Sequence, residues 1–353
     1  LANVARATFT EYQINLKRNL ATVFSLEYVA MHQKGDLEAA AAWVKDNSSG
    51  LAGPSCPNFI RLRDVRPQPK SYKLAHVINP VDLGHASDLY IAQPITFESM
   101  RRAKKFVEGH VDVDLLAVAY EEDDDILPRD GFNVLPHLAR SVLDTDTFNI
   151  QRKLPLLRDL LDAGFNGSDA DYLVYTNADI SLTPQFYHRV TELIDKGHDA
   201  IIINRRTLSK QHAAADQVGA MYAEYGKDHP GYDCFVIKRE LYEKFNLGDV
   251  SIGVHMIGRV LLWNLMAFSK NLLIERKEHL TFHIGDDVPS KDARLIDYIR
   301  HNVMTSLDVL GDLEQRAGLL THLRDTRQRN LLTMNFGPNK FREFVGDRDM
   351  PAL

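Results

Sequence analysis

Asn177, Ala178 and Asp179 set an amide and a carboxylate two positions apart at the end of a short apolar run, Tyr172 to Tyr175. That run has the length and the β-prone residues of a strand buried on both faces. Thr176 adds a hydroxyl where the run ends, and Thr183-Pro184 reads as an N-cap followed by a first-turn proline, with a helix expected over Gln185 to Lys196. Ligands of open α/β sheets sit beyond the carboxyl ends of the strands, so Asp179 is placed to meet a ligand or a hard cation. An Asx-rich loop can also be a plain turn. The surrounding chain decides between the two.

Four other groups bear on that choice. His279, Thr281 and His283 share one face if their segment is a strand, and the Gly285-Asp286-Asp287 that follows is rich in oxygen ligands. Asp233, in a Gly-Tyr-Asp-Cys-Phe-Val-Ile segment, is a carboxylate next to a predicted strand, where it could accept a proton from a sugar hydroxyl or simply end a turn. Asn204, Arg205 and Arg206 follow a buried strand, and paired arginines there suit a diphosphate. The acidic run Glu121 to Asp125 resembles a metal cluster, but consecutive carboxylates point in alternate directions and repel one another, so a solvated loop is expected. Its place after a strand leaves Glu121 open as a donor contact.

The elements that must position these groups alternate. Strands are expected at Leu74–Ile78, Leu115–Tyr120, through Asp171–Ile180, and at Ala200–Asn204. Helices are expected from Ile95, begun by Gln93-Pro94, and over Val134–Leu143, Lys153–Ala163 and Gln185–Lys196. Strand and helix in this order imply parallel pairing with helices on both faces. The pattern then loosens: Gln211–Tyr225 reads as a partly helical loop. A short strand follows at Cys234–Ile237, a buried helix within Ile252–Phe268, and two short strands at Leu272–Ile274 and Leu280–Phe282. Residues 1–70 read as a helical extension and a Pro/Gly/Ser-rich linker, 71–290 as the α/β domain, and 291–353 as two C-terminal helices and a tail.

The composition, 44% apolar and 25% charged, supports an ordinary core, and a formal charge of −6 argues against general attraction to nucleic acid. Two distant cysteines, Cys56 and Cys234, make neither a disulfide framework nor a thiolate zinc site, so a reducing, cytoplasmic setting is expected. The start at Leu1 leaves room for a removed upstream signal or anchor. No apolar run reaches the ~20 residues of a membrane span. No phosphate-binding glycine loop follows the first strand, and neither a G-x-S-x-G elbow nor an H-E-x-x-H helix is present, which disfavours NAD, P-loop and covalent-hydrolase chemistry. The apolar N-terminal helices could dock onto a second copy of the chain.

Taken together, Tyr175-Thr176-Asn177-Ala178-Asp179-Ile180, the Ile-rich strand ending in Asn204-Arg205-Arg206, the segment around Asp233 and the late Thr281-Phe282-His283-Ile284-Gly285 resemble the GT-A type of nucleotide-sugar glycosyltransferase over roughly residues 73–287. The resemblance implies a mostly parallel α/β sheet flanked by helices, extended here by helices at both ends. It also implies transfer of a sugar from a nucleotide-sugar donor to a carbohydrate or other hydroxyl acceptor, with Mn²⁺ or Mg²⁺ on the donor diphosphate. Asp179 and His283 would then be ion ligands, Asn177, Arg205 and Arg206 donor contacts, and Asn79 and Pro80 neighbours of the nucleotide base. Asp233 would be the acceptor-side base, with His255 as a second candidate. Asn177 departs from the Asp-x-Asp pattern of that family, which removes one negative charge from the ion site. The alternatives are a sugar-phosphate nucleotidyltransferase and a non-catalytic nucleotide-sugar or carbohydrate binder.

Overall fold

The apolar run that ends at Thr176 is strand β4 (Tyr172–Thr176), and it lies near the middle of a seven-stranded sheet. The computed structural model describes residues 72–319 apart from 86, 230 and 286–294. The expected N-terminal helices and linker, the second C-terminal helix, the tail and the Asp286-Asp287 turn lie outside the described residues.

The sheet order is β10-β6-β9-β4-β1-β2-β3. Its members are β1 (Lys73–Ile78), β2 (Asp112–Ala117), β3 (Asn133–Val134), β4, β6 (Ala200–Ile203), β9 (Cys234–Lys238) and β10 (Leu272–Glu275). All neighbours pair in parallel except β9, which runs antiparallel between β4 and β6. The expected α/β architecture, a mostly parallel sheet flanked by helices, is present. Helices α1 (Asp88–Phe106) and α3 (Phe186–Asp195) cover one face, whereas α2 (Leu157–Asn166), α4 (Ile257–Phe268) and α5 (Ile296–Ala317) cover the other. Alternation along β4 follows from the strand period: Tyr172 and Val174 enter the first core, Leu173 and Tyr175 the second. None of the helices among the described residues is long and apolar enough to cross a membrane.

Four sequence expectations change. Val134–Leu143 is not a helix: the Leu135 and Leu138 amides donate to the Ala117 and Ala119 carbonyls, so the segment runs alongside β2, and Pro136 cannot supply a helical N–H. Helix α1 begins before Pro94, capped by Ser87, whose hydroxyl accepts from the Leu89 amide, and the proline is carried inside it. Strand β2 starts three residues earlier than expected. The acidic run closes as a 3₁₀ turn, Glu121–Ile126, rather than an open loop.

A second, four-stranded sheet was not foreseen as a unit. Its order is β5-β11-β7-β8, from Ser181–Leu182, Thr281–Ile284, Arg205–Leu208 and Lys227–Asp228. It leaves the main sheet at the carboxyl ends of β4 and β6, where the candidate site residues follow.

His76, fully buried on β1, ties the two central strands to α3 through 2.9 Å bonds to the Thr176 and Tyr187 hydroxyls. Burial pushes its pKa down to about 3; burial, with a smaller effect of Arg206, does the same to His279. Both folded values lie below the ordinary 6.5, so the stability they protect is whole above pH 6.5 and is lost as the unfolded chain protonates below it. Unfolding free energy is expected to fall by about 1.4 kcal/mol per pH unit for each histidine between about pH 6 and pH 4. Denaturant melts across that range check it, and a flat profile contradicts it.

Candidate active site

Register explains how residues distant in sequence meet. Strand β5 pairs antiparallel with β11, Ser181 opposite Phe282, so Asp179, just before β5, lies beside His283 on β11. Strand β11 pairs in parallel with β7, setting Thr281 opposite Arg205. Cys234, the first residue of β9, faces both Thr176 and Ile203, which places Asp233 between the loops that start at Asn177 and Asn204. Four strand ends therefore deliver Asn177, Asp179, Arg205, Asp233 and His283 to one rim.

The contacts are polar and close. His283 Nε2 lies 3.2 Å from Asp179 Oδ2. Asp233 Oδ2 lies 3.6 Å from Arg205 Nε and 3.7 Å from His229 Nε2, and Arg205 Nη2 is 3.4 Å from His229 Nδ1. The Asn204 amide donates to the His229 and Gly231 carbonyls at 2.7 and 2.8 Å, pinning the turn that carries Asp233. Tyr175, buried in the core beneath, donates its hydroxyl to Asn177 Oδ1 at 2.8 Å. Burial by itself would raise the Asp179 pKa. The hydrogen bond from His283 and the charges of His283 and Arg205 outweigh it and hold the carboxyl below its usual range. Tyr175 is pushed strongly upward by burial and by the Asp179 and Asp233 charges, so its hydroxyl keeps its proton.

Asp179 Oδ1, Asn204 Oδ1 and His283 Nδ1 are buried at this rim and have no hydrogen-bond partner among the described residues. A buried polar atom left so costs about 1–3 kcal/mol, which a bound group can relieve. The set also fits a divalent ion in part. Two ligands at right angles, each ~2.1–2.2 Å from an ion, stand ~3 Å apart, close to the Asp179–His283 spacing, and an ion of this kind commonly takes its remaining ligands from substrate phosphates and water. Among the described residues no three His, Cys, Asp or Glu side chains form a complete cluster, so Asp179 and His283 alone would not close the shell.

The other expected site residues are placed as follows. Asn79 donates to the Val118 carbonyl at 2.8 Å and joins the ends of β1 and β2, with Pro80 buried beside it, both on the carboxyl edge of the sheet. Glu121 is exposed at the start of the 3₁₀ turn. Asp123, which the sequence reading did not single out, is the buried member of that acidic run and accepts from the Asp82 amide at 2.8 Å; burial raises its pKa. Its apolar-like spacing within a carboxylate run gave no usable signal. His255 is solvent-exposed in the turn before α4, and its carbonyl accepts from Asn302 Nδ2 at 2.9 Å. Partial burial, then the charge of Arg259, lowers its pKa below the ordinary histidine value, so the ring is neutral near pH 7. The next residue, Met256, holds φ at 94°, a left-handed conformation worth about 1–2 kcal/mol of strain in a non-glycine residue. Helix α4 then passes so close to the Asp233 turn that a Cβ at Gly258 would stand 2.8 Å from the Tyr232 carbonyl oxygen.

Arg206 is not brought to the cluster. Successive residues of β7 face opposite ways, and Arg206 bonds Asp228 and the Tyr225 and Gly226 carbonyls while stacking 3.7 Å over the Tyr225 ring. Arg206→Ala is therefore expected to destabilise the fold by about 2–3 kcal/mol through lost packing and unmet carbonyls, leaving any ligand affinity of the Asp179–His283 rim in the folded protein unchanged. Thermal melts together with calorimetric titration separate the two effects.

No protein-family model and no curated protein matches the sequence. In fold, the chain is similar to residues 1–349 of TarS from S. aureus in complex with UDP-GlcNAc, with a TM-score of 0.43, 7% identity, and 77% of this chain and 80% of that chain covered. It is also similar to glucosyl-3-phosphoglycerate synthase from Mycobacterium tuberculosis in complex with Mn²⁺, uridine-diphosphate-glucose and phosphoglyceric acid, with a TM-score of 0.39, 15% identity, and 68% and 80% covered.

Proposed function

We propose that this chain transfers a sugar from a nucleotide-sugar donor to an acceptor hydroxyl at the rim formed by Asn177, Asp179, Arg205, Asp233 and His283. The observation that carries the reading is the convergence of an aspartate from the turn before β5, a histidine from β11 and an arginine from β7 on the carboxyl edge of the main sheet, with buried acceptor atoms that meet no donor among the described residues.

Each residue then has a task. Arg205, held by Asp233 and His229, offers a fixed guanidinium to the diphosphate that departs. Asp233 serves as a positioning residue, since its Oδ2 already faces a guanidinium and an imidazole. Asp179 and His283 would hold a divalent ion against the same diphosphate, and the ion would supply positive charge to offset the phosphate charge of the leaving group. His255, neutral and exposed, takes the proton of the acceptor hydroxyl as the acceptor oxygen bonds the anomeric carbon and the bond to the diphosphate oxygen breaks. Asn79 and Pro80 border the place for the base.

The test is product formation. Incubation with UDP- and GDP-sugars and Mn²⁺ is expected to release nucleoside diphosphate slowly to water and faster with a suitable acceptor. Binding without any release would mark a binding protein, and release of pyrophosphate from nucleoside triphosphate and sugar phosphate would mark a nucleotidyltransferase.

A further inference from the structure

In an Asp-x-Asp turn both side chains are acceptors. Here the first position is Asn177, an amide with both donors and an acceptor, and which end it presents depends on its neighbour. That neighbour is Tyr175, two residues earlier on β4, with its ring stacked in the core against Phe235 and its hydroxyl 2.8 Å from Asn177 Oδ1. A phenol has one proton to give, and it is given to Oδ1. The NH2 group of the half-buried Asn177, which is not among the buried unpartnered atoms, is then the end left for a ligand.

We propose that Tyr175 sets the polarity of Asn177, so that this position donates hydrogen bonds to the donor diphosphate and takes no part in holding an ion. The inference rests on the donor-binding reading above and assigns the site its two sides. Asn177 and Arg205 present N–H groups, which match phosphate oxygens. Asp179 Oδ1 and Asn204 Oδ1 present unmet acceptors, which match hydroxyl groups or a cation. An ion would take one carboxylate and one imidazole from these described residues, Asp179 and His283, and part of the diphosphate is gripped without it. Nucleoside diphosphate binding therefore survives chelation.

Calorimetric titration of the full chain with UDP and with GDP, in EDTA and in Mn²⁺, tests this, with free Mn²⁺ counted separately by electron paramagnetic resonance. For the unsubstituted protein, chelation is expected to weaken nucleotide binding by less than about tenfold. Asn177→Asp replaces the donor with a charged acceptor. In EDTA it is expected to weaken nucleotide binding by about 10- to 100-fold, and to tighten binding of Mn²⁺ alone by about tenfold or more. Tyr175→Phe keeps the ring but frees the amide, and is expected to weaken nucleotide binding in EDTA by about three- to tenfold with Mn²⁺ binding unchanged. Loss of more than tenfold on chelation of the unsubstituted protein overturns the inference, as does an Asn177→Asp variant that matches it in both measurements. Absence of UDP and GDP binding with and without Mn²⁺ overturns the donor reading itself, a separate result.

Discussion

Replacing His255 by alanine is expected to lower the turnover number by about 100- to 10,000-fold, the range of a lost general base, with little change in the KM for the donor. The imidazole is the only one of the two candidate bases facing solvent, because Asp233 is enclosed by Arg205 and His229. The pH profile gives the sharper check. Burial and Arg259 hold the His255 pKa below its ordinary value, so the free base dominates at neutral pH and the rate is expected to fall only as pH drops below 6.5 toward that lowered value. In His255→Ala the acidic limb should vanish along with most of the activity. A variant that keeps the limb places the base elsewhere, and one that keeps the rate removes the role.

The second large effect concerns Asp179. Asp179→Ala removes the partner of His283 and the carboxylate that, against the effect of burial, the His283 hydrogen bond and the charges of His283 and Arg205 keep ionised. Transfer is expected to fall by about 100- to 1,000-fold, comparable to the loss of one strong electrostatic group at a developing charge. Asp179→Asn keeps the volume but not the charge and is expected to lose nearly as much. Because Asp179 Oδ2 pairs with His283 while Oδ1 meets no donor among the described residues, the melting temperature is expected to fall only slightly in either variant. Steady-state rates beside thermal melts decide the matter: full activity in a folded variant contradicts the assignment, and a large loss of stability would point to a structural role.

Much of this site was legible in the sequence because the relevant residues follow apolar strands. Asn177 and Asp179 end the Tyr172–Thr176 run, Arg205 ends the Ala200–Ile203 run, and strand ends are where an open sheet exposes side chains. The pairing of Asp179 with His283 was also readable as a proposal, since the Leu280–Phe282 pattern marked a late strand. What the sequence hid has a common cause. Strand β7 is Arg-Arg-Thr-Leu, whose two arginines carry no apolar alternation, so the strand that decides the facing of Arg205 and Arg206 gave no sequence signal. The segment from Val134 had helical spacing, yet its amides are claimed by β2, a tertiary contact that no local pattern contains. Tyr175 was absorbed into the apolar run as a core residue. It is one, and only its hydroxyl reaches the site.

A structure of the chain soaked with UDP or GDP tests the central claim most directly. The account predicts the diphosphate beside Asp179 and His283, with oxygens within hydrogen-bonding distance of the Arg205 guanidinium and the Asn177 amide. A diphosphate bound away from this rim, with the Asp179 and His283 side chains still paired only to each other, would contradict it.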